Sequence, residues 1–292
     1  MSKIIVYIPV KNDKWFVEKA ILSALEWADY LFIFDDSSSD GCHEIYKKLI
    51  EKHSNLFVMF NRPKFNKTTN ESRNFFLNFI RNKIDGYNII FELHADEVVS
   101  ALITNPILKN ELINLPIGTA IMLPWINIWK HPFLYREDKS VWSGSKGWFG
   151  FKDDRFSVFE GPVFHGPRVP EKLLKNKYEI DLPVLHFQFI NLGMERSKQA
   201  LYQIFEKNHF PNENNEYINK KYACAFDERN IILKELEIKH YRKWLELGIN
   251  IDEQFEEECL NWRDYQVLKN FSLNGVSKYK ELNIWYIDWE KK

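Results

Sequence analysis

Four short apolar runs punctuate the first hundred residues: Ile4 to Val10, Tyr30 to Phe34, Leu56 to Phe60 and Asn88 to Leu93. Bounded by polar and turn-forming residues, they predict buried strands. The segments between them change to a helical period. Trp15, Ala20, Ala24 and Trp27 mark one face of a first helix, and Phe75, Phe76, Phe79 and Ile80 mark one face of a third. Asp13 and Asp40 stand where the first two helices need an N-cap, and Thr68-x-x-Glu71 has the form of a capping box before the third. Strand and helix in strict alternation predict an α/β domain, with a parallel sheet, right-handed crossovers and helices on both faces. Ligands of such sheets bind beyond the carboxyl ends of the strands, which here means residues 9–13, 35–41, 61–69 and 94–97.

Beyond residue 105 the periodicity weakens and Pro, Gly and Trp accumulate, as expected of short strands and substrate-binding loops. This predicts one domain over 1–190, with a ligand-binding half at 1–100 and a second half at 101–190. The chain then turns charged and helical, with helices expected at 194–207, 228–247 and 253–270, so that 191–292 form a helical C-terminal extension. There is no internal repeat.

Composition narrows the function classes. Forty Lys and Arg against 41 Asp and Glu leave a net charge of −1, which excludes a protein that coats nucleic acid. Charged residues at 28% and hydrophobic ones at 45% are those of a globular chain. The three cysteines, Cys42, Cys224 and Cys259, are widely spaced and form no CxxC pair, so a reducing, cytoplasmic setting is expected. The apolar run before Lys11 is too short for a signal peptide, and no window reaches the roughly 20 apolar residues of a membrane span. Peripheral membrane contact stays open. Aromatic residues reach 16%, more than a core of this size ordinarily holds, so some are expected in a cleft or an interface.

Two strand ends carry candidate chemistry. Phe32-Ile33-Phe34 empties into Asp35-Asp36-Ser37-Ser38-Ser39-Asp40-Gly41, where a carboxylate can accept from a uracil imide or a ribose hydroxyl and short side chains admit a nucleoside. The same residues also suit a solvated turn and a helix cap. Ile89-Ile90-Phe91-Glu92-Leu93 ends in His94-Ala95-Asp96-Glu97, where Asp96 is the best ligand for a hard divalent cation and His94 tilts the choice from Mg²⁺ towards Mn²⁺. An acidic loop at a sheet edge is the plainer reading.

Taken together, IPVKN at the first strand, DDSSSDG at the second, Glu71-Ser72-Arg73-Asn74 on the third helix and LHADE at the fourth strand resemble the family 2 glycosyltransferases. The resemblance covers roughly residues 3 to 100. It implies the GT-A fold, a mixed and mostly parallel central sheet flanked by helices, and transfer of a sugar from a nucleotide-diphosphate donor. On that resemblance Pro9, Lys11, Asn12, Asp35, Asp36 and Ser37 border the nucleotide, Arg73 supports the acidic sites, and Asp96 with His94 stands where the family has an aspartate pair. His94 departs from that pair. Beyond residue 150 the chain is similar, more loosely, to the subgroup that builds lipopolysaccharide core and other surface glycans, through Phe151-x-x-x-Arg155, Val163-Phe164-His165-Gly166, and Leu185-His186-Phe187 followed by Lys198 and Tyr202. This implies His186 as a further metal ligand and Lys198 as a point charge for the diphosphate. Gly166 occupies the subgroup's carboxylate position.

An inverting transfer needs a carboxylate within reach of the acceptor hydroxyl. The candidates are Asp153, Asp154 and Glu160, with Asp154 preferred. Trp125, Trp142 and Trp148 offer indole faces on which an acceptor sugar can stack, while Trp244, Trp262, Trp285 and Trp289 are expected to pack the C-terminal helices or a partner, including a second copy of the chain. The expected activity is a Mn²⁺- or Mg²⁺-dependent hexosyltransferase, with a UDP-sugar as donor and a glycan or glycolipid as acceptor. Two alternatives remain: a non-catalytic nucleotide- or glycan-binding protein of the same fold, and a sugar-1-phosphate nucleotidyltransferase, whose Gly-rich phosphate loop is absent from residues 9–13.

Overall fold

The computed structural model describes residues 2–63, 69–161, 166–253 and 261–291. In chain order the first half runs β1 (Ile4–Val10), α1 (Lys14–Leu25), β2 (Tyr30–Asp35), α2 (Cys42–Ile50), β3 (Leu56–Met59), α3 (Thr69–Lys83), β4 (Ile89–Glu92), β5 (Glu97–Val99) and α4 (Pro106–Ile113). There follow β6 (Ala120–Trp129), β7 (Leu134–Arg136), β8 (Lys146–Lys152), β9 (Lys177–Glu179), β10 (Val184–Phe189), α5 (Leu192–His209), α6 (Asn215–Ala223), β11 (Leu233–Glu235), α7 (Arg242–Glu246) and α8 (Trp262–Asn274). The chain divides into two compact units. One holds Met1–Ile126, Gly144–His186 and Leu236–Ile251, and the other Asn127–Ser143, Phe187–Glu235 and Asp252–Lys292.

The first unit is a mixed, mainly parallel sheet flanked by helices, with strand order β6-β8-β4-β1-β2-β3. Strands β3, β2, β1 and β4 are mutually parallel, and β8 runs antiparallel between β4 and β6. Side chains alternate across a strand, so register decides which residues share a face. Tyr7 is paired with Phe32 on one side and Glu92 on the other. On that face Ile5, Tyr7, Phe32, Phe34 and Ile90 pack with Phe76, Leu77 and Ile80 of α3. On the other face Trp27 sets its edge against Phe91 at 5.3 Å. Both faces are apolar, as the near-continuous hydrophobic strands required. Gly150, on β8, lies so close to Phe91 that a Cβ there would be 2.6 Å from its ring.

Asp40 fixes the start of two helices at once. Its carboxylate accepts from the backbone N–H of Lys14 at 2.8 Å and of Cys42 at 3.1 Å. Asp13 precedes α1 without a side-chain cap bond. Thr68, the first residue of the expected capping box, lies outside the described residues.

In the second unit Ala200, Leu201 and Ile204 of α5, Ile218 and Tyr222 of α6, and Val267 and Phe271 of α8 share a core with Tyr279, Leu282, Ile284 and Trp289. Helix α5 covers the expected span, whereas α6 was not foreseen. The expected helix over 228–247 is replaced by β11, a short 3-10 turn at Ile238–His240 and α7. Residues 233–235 pair antiparallel with Arg136, Tyr135 and Leu134 instead. The following segment belongs to the first unit, where Trp244 is fully buried and donates its indole N–H to the carbonyl of Val99 at 3.1 Å. Trp244 therefore packs against the β5 segment and not among the C-terminal helices. Of the expected helix over 253–270, residues 254–260 lie outside the described residues and α8 forms the rest. Among the described residues no helix is long and apolar enough to cross a membrane.

Candidate functional site

The loops after β1 and β2 are stitched together at the carboxyl edge of the first unit's sheet. Asn12 takes a left-handed backbone, φ 52°, as does Ser37, φ 56°. The Asn12 N–H donates to Ser38 Oγ at 2.8 Å, and its side-chain carbonyl accepts from the Ser39 N–H at 2.6 Å. Lys11 Nζ donates to the carbonyls of Asp36 and Ser37. Asp35 is fully buried, accepting from the Ser38 N–H at 2.8 Å and the Tyr46 hydroxyl at 3.1 Å, with His43 Nε2 at 2.9 Å. Asp35 thus shapes the loop from inside. Asp36 is the carboxylate that reaches its surface, with Arg62 Nη2 3.4 Å away. Gly41 closes the loop at φ 102°, a conformation that favours glycine.

A second cluster gathers beyond β4. Glu92 is buried and receives a two-pronged hydrogen bond from Arg73 of α3, Nε to Oε2 and Nη2 to Oε1, both 2.8 Å, with the Tyr7 hydroxyl donating to the same carboxylate. Burial alone would raise the Glu92 pKa, but the Arg73 guanidinium outweighs it and holds the carboxyl well below the usual carboxylate range. Glu97 is likewise enclosed and is gripped by Arg168 at 2.6 and 2.9 Å. Its pKa too is lowered, by the Arg168 charge against the effect of burial. Two buried carboxylates, each closed by a planar guanidinium fork, brace the loop that carries His94 and Asp96.

That loop meets β10. Asp96 Oδ2 lies 3.5 Å from His186 Nε2, although the two residues are far apart in sequence. The His186 ring stacks on Trp125, with centroids 4.9 Å apart and planes at 26°. Trp125 in turn lies beneath the Arg168 guanidinium, 5.2 Å from its ring centre. His94 sits at the rim, its Nδ1 3.1 Å from Arg168 Nη2 and its Nε2 3.7 Å from Glu92.

The three carboxylates proposed for proton removal are placed differently. β8 is antiparallel to β4, with Lys152 opposite Ile89, so Asp153 and Asp154 fall at the amino end of β4. The Asp153 N–H donates to the Asn88 carbonyl there at 2.8 Å. The structure does not bring either together with His94 and Asp96, which lie beyond the other end of the strand. Asp153 is buried in a fork from Arg81, 3.0 and 2.6 Å. Asp154 accepts from the N–H groups of Phe156 and Ser157 and from the Ser157 hydroxyl, and these bonds hold its pKa down despite partial burial. Glu160 is on the ligand side: its carbonyl accepts from Asn70 at 2.8 Å, near the start of α3, and its exposed carboxylate lies 3.2 Å from Lys172.

The remaining candidates separate by unit. Trp148 packs against the α3-facing core of the first unit. In the second unit Trp142 donates to the Cys224 carbonyl at 2.8 Å and rests on Phe189, and Lys198 Nζ donates to Gln188 at 2.8 Å with Glu195 3.8 Å away. Pro9 lies at the partly buried end of β1. Val163, Phe164 and His165 lie outside the described residues. Four supporting residues escaped the sequence reading: Tyr7, Glu92, Glu97 and Arg168. Glu92 did carry a signal, since a carboxylate inside an apolar strand must find a partner. Arg168, in a loop of no fixed period, carried none.

No protein-family model and no curated protein sequence matches the chain. Among solved structures it is similar to the mannosyltransferase PcManGT from Pyrobaculum calidifontis in complex with GDP-Man and Mn²⁺, at 12% identity over 77% of this chain and 70% of that one, TM-score 0.44. It is similar to GalNAc-T7 with UDP, GalNAc and Mn²⁺, at 10% identity over 89% and 59%, TM-score 0.46. A third likeness is to TarS of S. aureus, at 13% identity and TM-score 0.43, where the match covers 78% of this chain and 50% of the TarS chain.

Proposed function

We infer that the chain is a metal-dependent glycosyltransferase of the GT-A type, which moves a hexosyl group from a nucleotide-diphosphate donor, with UDP as the expected nucleotide, to a glycan hydroxyl with inversion. The observation that carries this reading is the meeting of Asp96 with His186, 3.5 Å apart, beyond the carboxyl ends of strands whose neighbouring loop presents Asp36. One carboxylate oxygen and one imidazole nitrogen suit Mn²⁺ or Mg²⁺, which ordinarily complete their shells with substrate phosphates and water. Among the described residues no group of three or more His, Cys, Asp or Glu gathers to hold a metal. The ion would supply charge to offset the leaving diphosphate.

The protein's own residues account for binding and orientation. Asp36 accepts from the base or ribose, and the backbone of 36–39, held open by Lys11 and Asn12, lets a nucleoside approach closely. Arg73 and Arg168 keep the loop of Asp96 in one conformation through Glu92 and Glu97. Trp125 stacks on the His186 ring and steadies it beside Asp96. Of the three carboxylates considered for proton removal, Glu160 is the one on the ligand side. A cytoplasmic setting and an acceptor among surface glycans belong to the same reading.

A thermal-shift screen of nucleotide sugars with and without Mn²⁺ tests it, since a ligand that binds only the folded state raises apparent stability. We expect a UDP-sugar to give the largest shift, and only with Mn²⁺. No shift from any nucleotide would contradict the reading, and a response to glycan alone would favour the binding-protein alternative.

A further inference from the structure

Arg168 joins Glu97, His94 and two aromatic rings of the second cluster. Nη1 donates to Glu97 Oε2 at 2.6 Å and Nη2 to Oε1 at 2.9 Å. The second hydrogen of Nη2 points at His94 Nδ1, 3.1 Å away. The guanidinium plane is covered by Phe149, 4.8 Å from the ring centre, and by Trp125, 5.2 Å, the same indole that stacks on His186. The group is buried.

An arginine has five N–H donors and no acceptor. A nitrogen at hydrogen-bond distance from it must therefore present a lone pair. His94 Nδ1 is that nitrogen, so the ring hydrogen is on Nε2. Nε2 is 3.7 Å from Glu92 Oε1, beyond an ordinary hydrogen bond. The His94 side chain is 43% exposed, in contrast to the enclosed groups around it.

We propose that Arg168 is a positioning residue that locks His94 as its Nε2–H tautomer, which makes His94 a hydrogen-bond donor to an oxygen of the bound nucleotide and not a metal ligand. Neither nitrogen then offers a lone pair to a cation: Nδ1 spends its pair on Arg168, and Nε2 carries the hydrogen. A carboxylate at this place would only accept hydrogen bonds. His94 reverses the polarity of that contact and selects an oxygen acceptor, a phosphoryl oxygen or a hydroxyl lone pair. The tautomer assignment stands on the geometry alone, whereas the nucleotide as its recipient rests on the proposed function.

Two-bond ¹H–¹⁵N correlation on uniformly labelled protein decides the tautomer, with the His94 signals identified by their loss in His94→Gln. We expect a bare-nitrogen shift at Nδ1, a protonated-nitrogen shift at Nε2, and collapse to a tautomer mixture in Arg168→Met. A protonated Nδ1 in the wild type overturns the proposal, even if Arg168→Met fails to fold. Calorimetric titration of UDP with Mn²⁺ tests the recipient. His94→Gln, which keeps an N–H donor, should bind within about threefold of wild type, and His94→Asp should lose about tenfold or more. Equal binding by His94→Asp overturns the donor role. A wild type that ignores UDP overturns both the nucleotide as recipient and the functional reading, while the nitrogen shifts still decide the tautomer.

Discussion

Buried ionisable groups in this chain are held in one charge state by named neighbours, and His240 shows what that means for stability. Its Nδ1 lies 2.8 Å from Ser100 Oγ, and burial pushes its pKa below the ordinary histidine value, with Lys239 adding to the effect. In the unfolded chain the imidazole takes up a proton near its ordinary value, about 6.5. The folded state resists until the pH is lower. The unfolded state then binds more protons across that window, so the His240 contribution favours folding above about pH 6.5 and weakens as the pH falls through it. Urea midpoints measured from pH 8 to pH 5 should therefore decline on the acid side in the wild type and decline less in His240→Gln. Asp154 permits a sharper test of placement. Because its carboxylate ties the 154–157 turn at the amino end of β4, Asp154→Ala should cost about 1–2 kcal/mol of stability. UDP binding by the same variant should stay within about twofold of wild type. A large loss of binding at unchanged fold would return Asp154 to the site.

At the scale of elements, the alternation of apolar runs was enough to foretell β1 to β4 and the helices between them, because β1, β2 and β4 are buried on both faces and β3 is an apolar strand beside them. Ends were also legible where one side chain sets them. Asp40 accepts from the first turns of both α1 and α2, so Asp40→Ala should destabilise by about 1–2 kcal/mol, near the loss of two modest caps, with denaturant unfolding as the readout. It should also loosen the 36–41 loop and weaken UDP binding. A variant as stable as the wild type would show that the two contacts contribute nothing net. The segment 228–247 was misread as a helix because its charged composition suits one. Its conformation is instead decided by partners distant in sequence, Leu134 to Arg136 for the strand and Val99 for Trp244. Such partners leave no local periodicity to detect.

At the scale of the molecule, the candidate site was legible as two strand ends and a late histidine, Asp36, Asp96 and His186, since each belongs to a recognisable string. The sequence did not reveal what braces them. Arg168 and Glu97 meet across 71 residues, Tyr7 and Glu92 across 85, and each pair is intelligible only once the strands are in register. The surplus of aromatic residues resolves in the same way. Trp27, Trp129 and Trp244 are core, Trp285 stacks on Phe271, and Trp125 alone of the acceptor candidates stands beside His186. On the proposed function, Asp96 and His186 together bind a divalent cation on which nucleotide binding depends. Calorimetric titration of UDP into wild type, Asp96→Ala and His186→Ala, each with and without Mn²⁺, measures it directly. We expect binding by the wild type that Mn²⁺ strengthens at least about tenfold, with the metal effect lost in both variants while their folds persist. Mn²⁺-strengthened binding of UDP by Asp96→Ala, equal to that of the wild type, would contradict it.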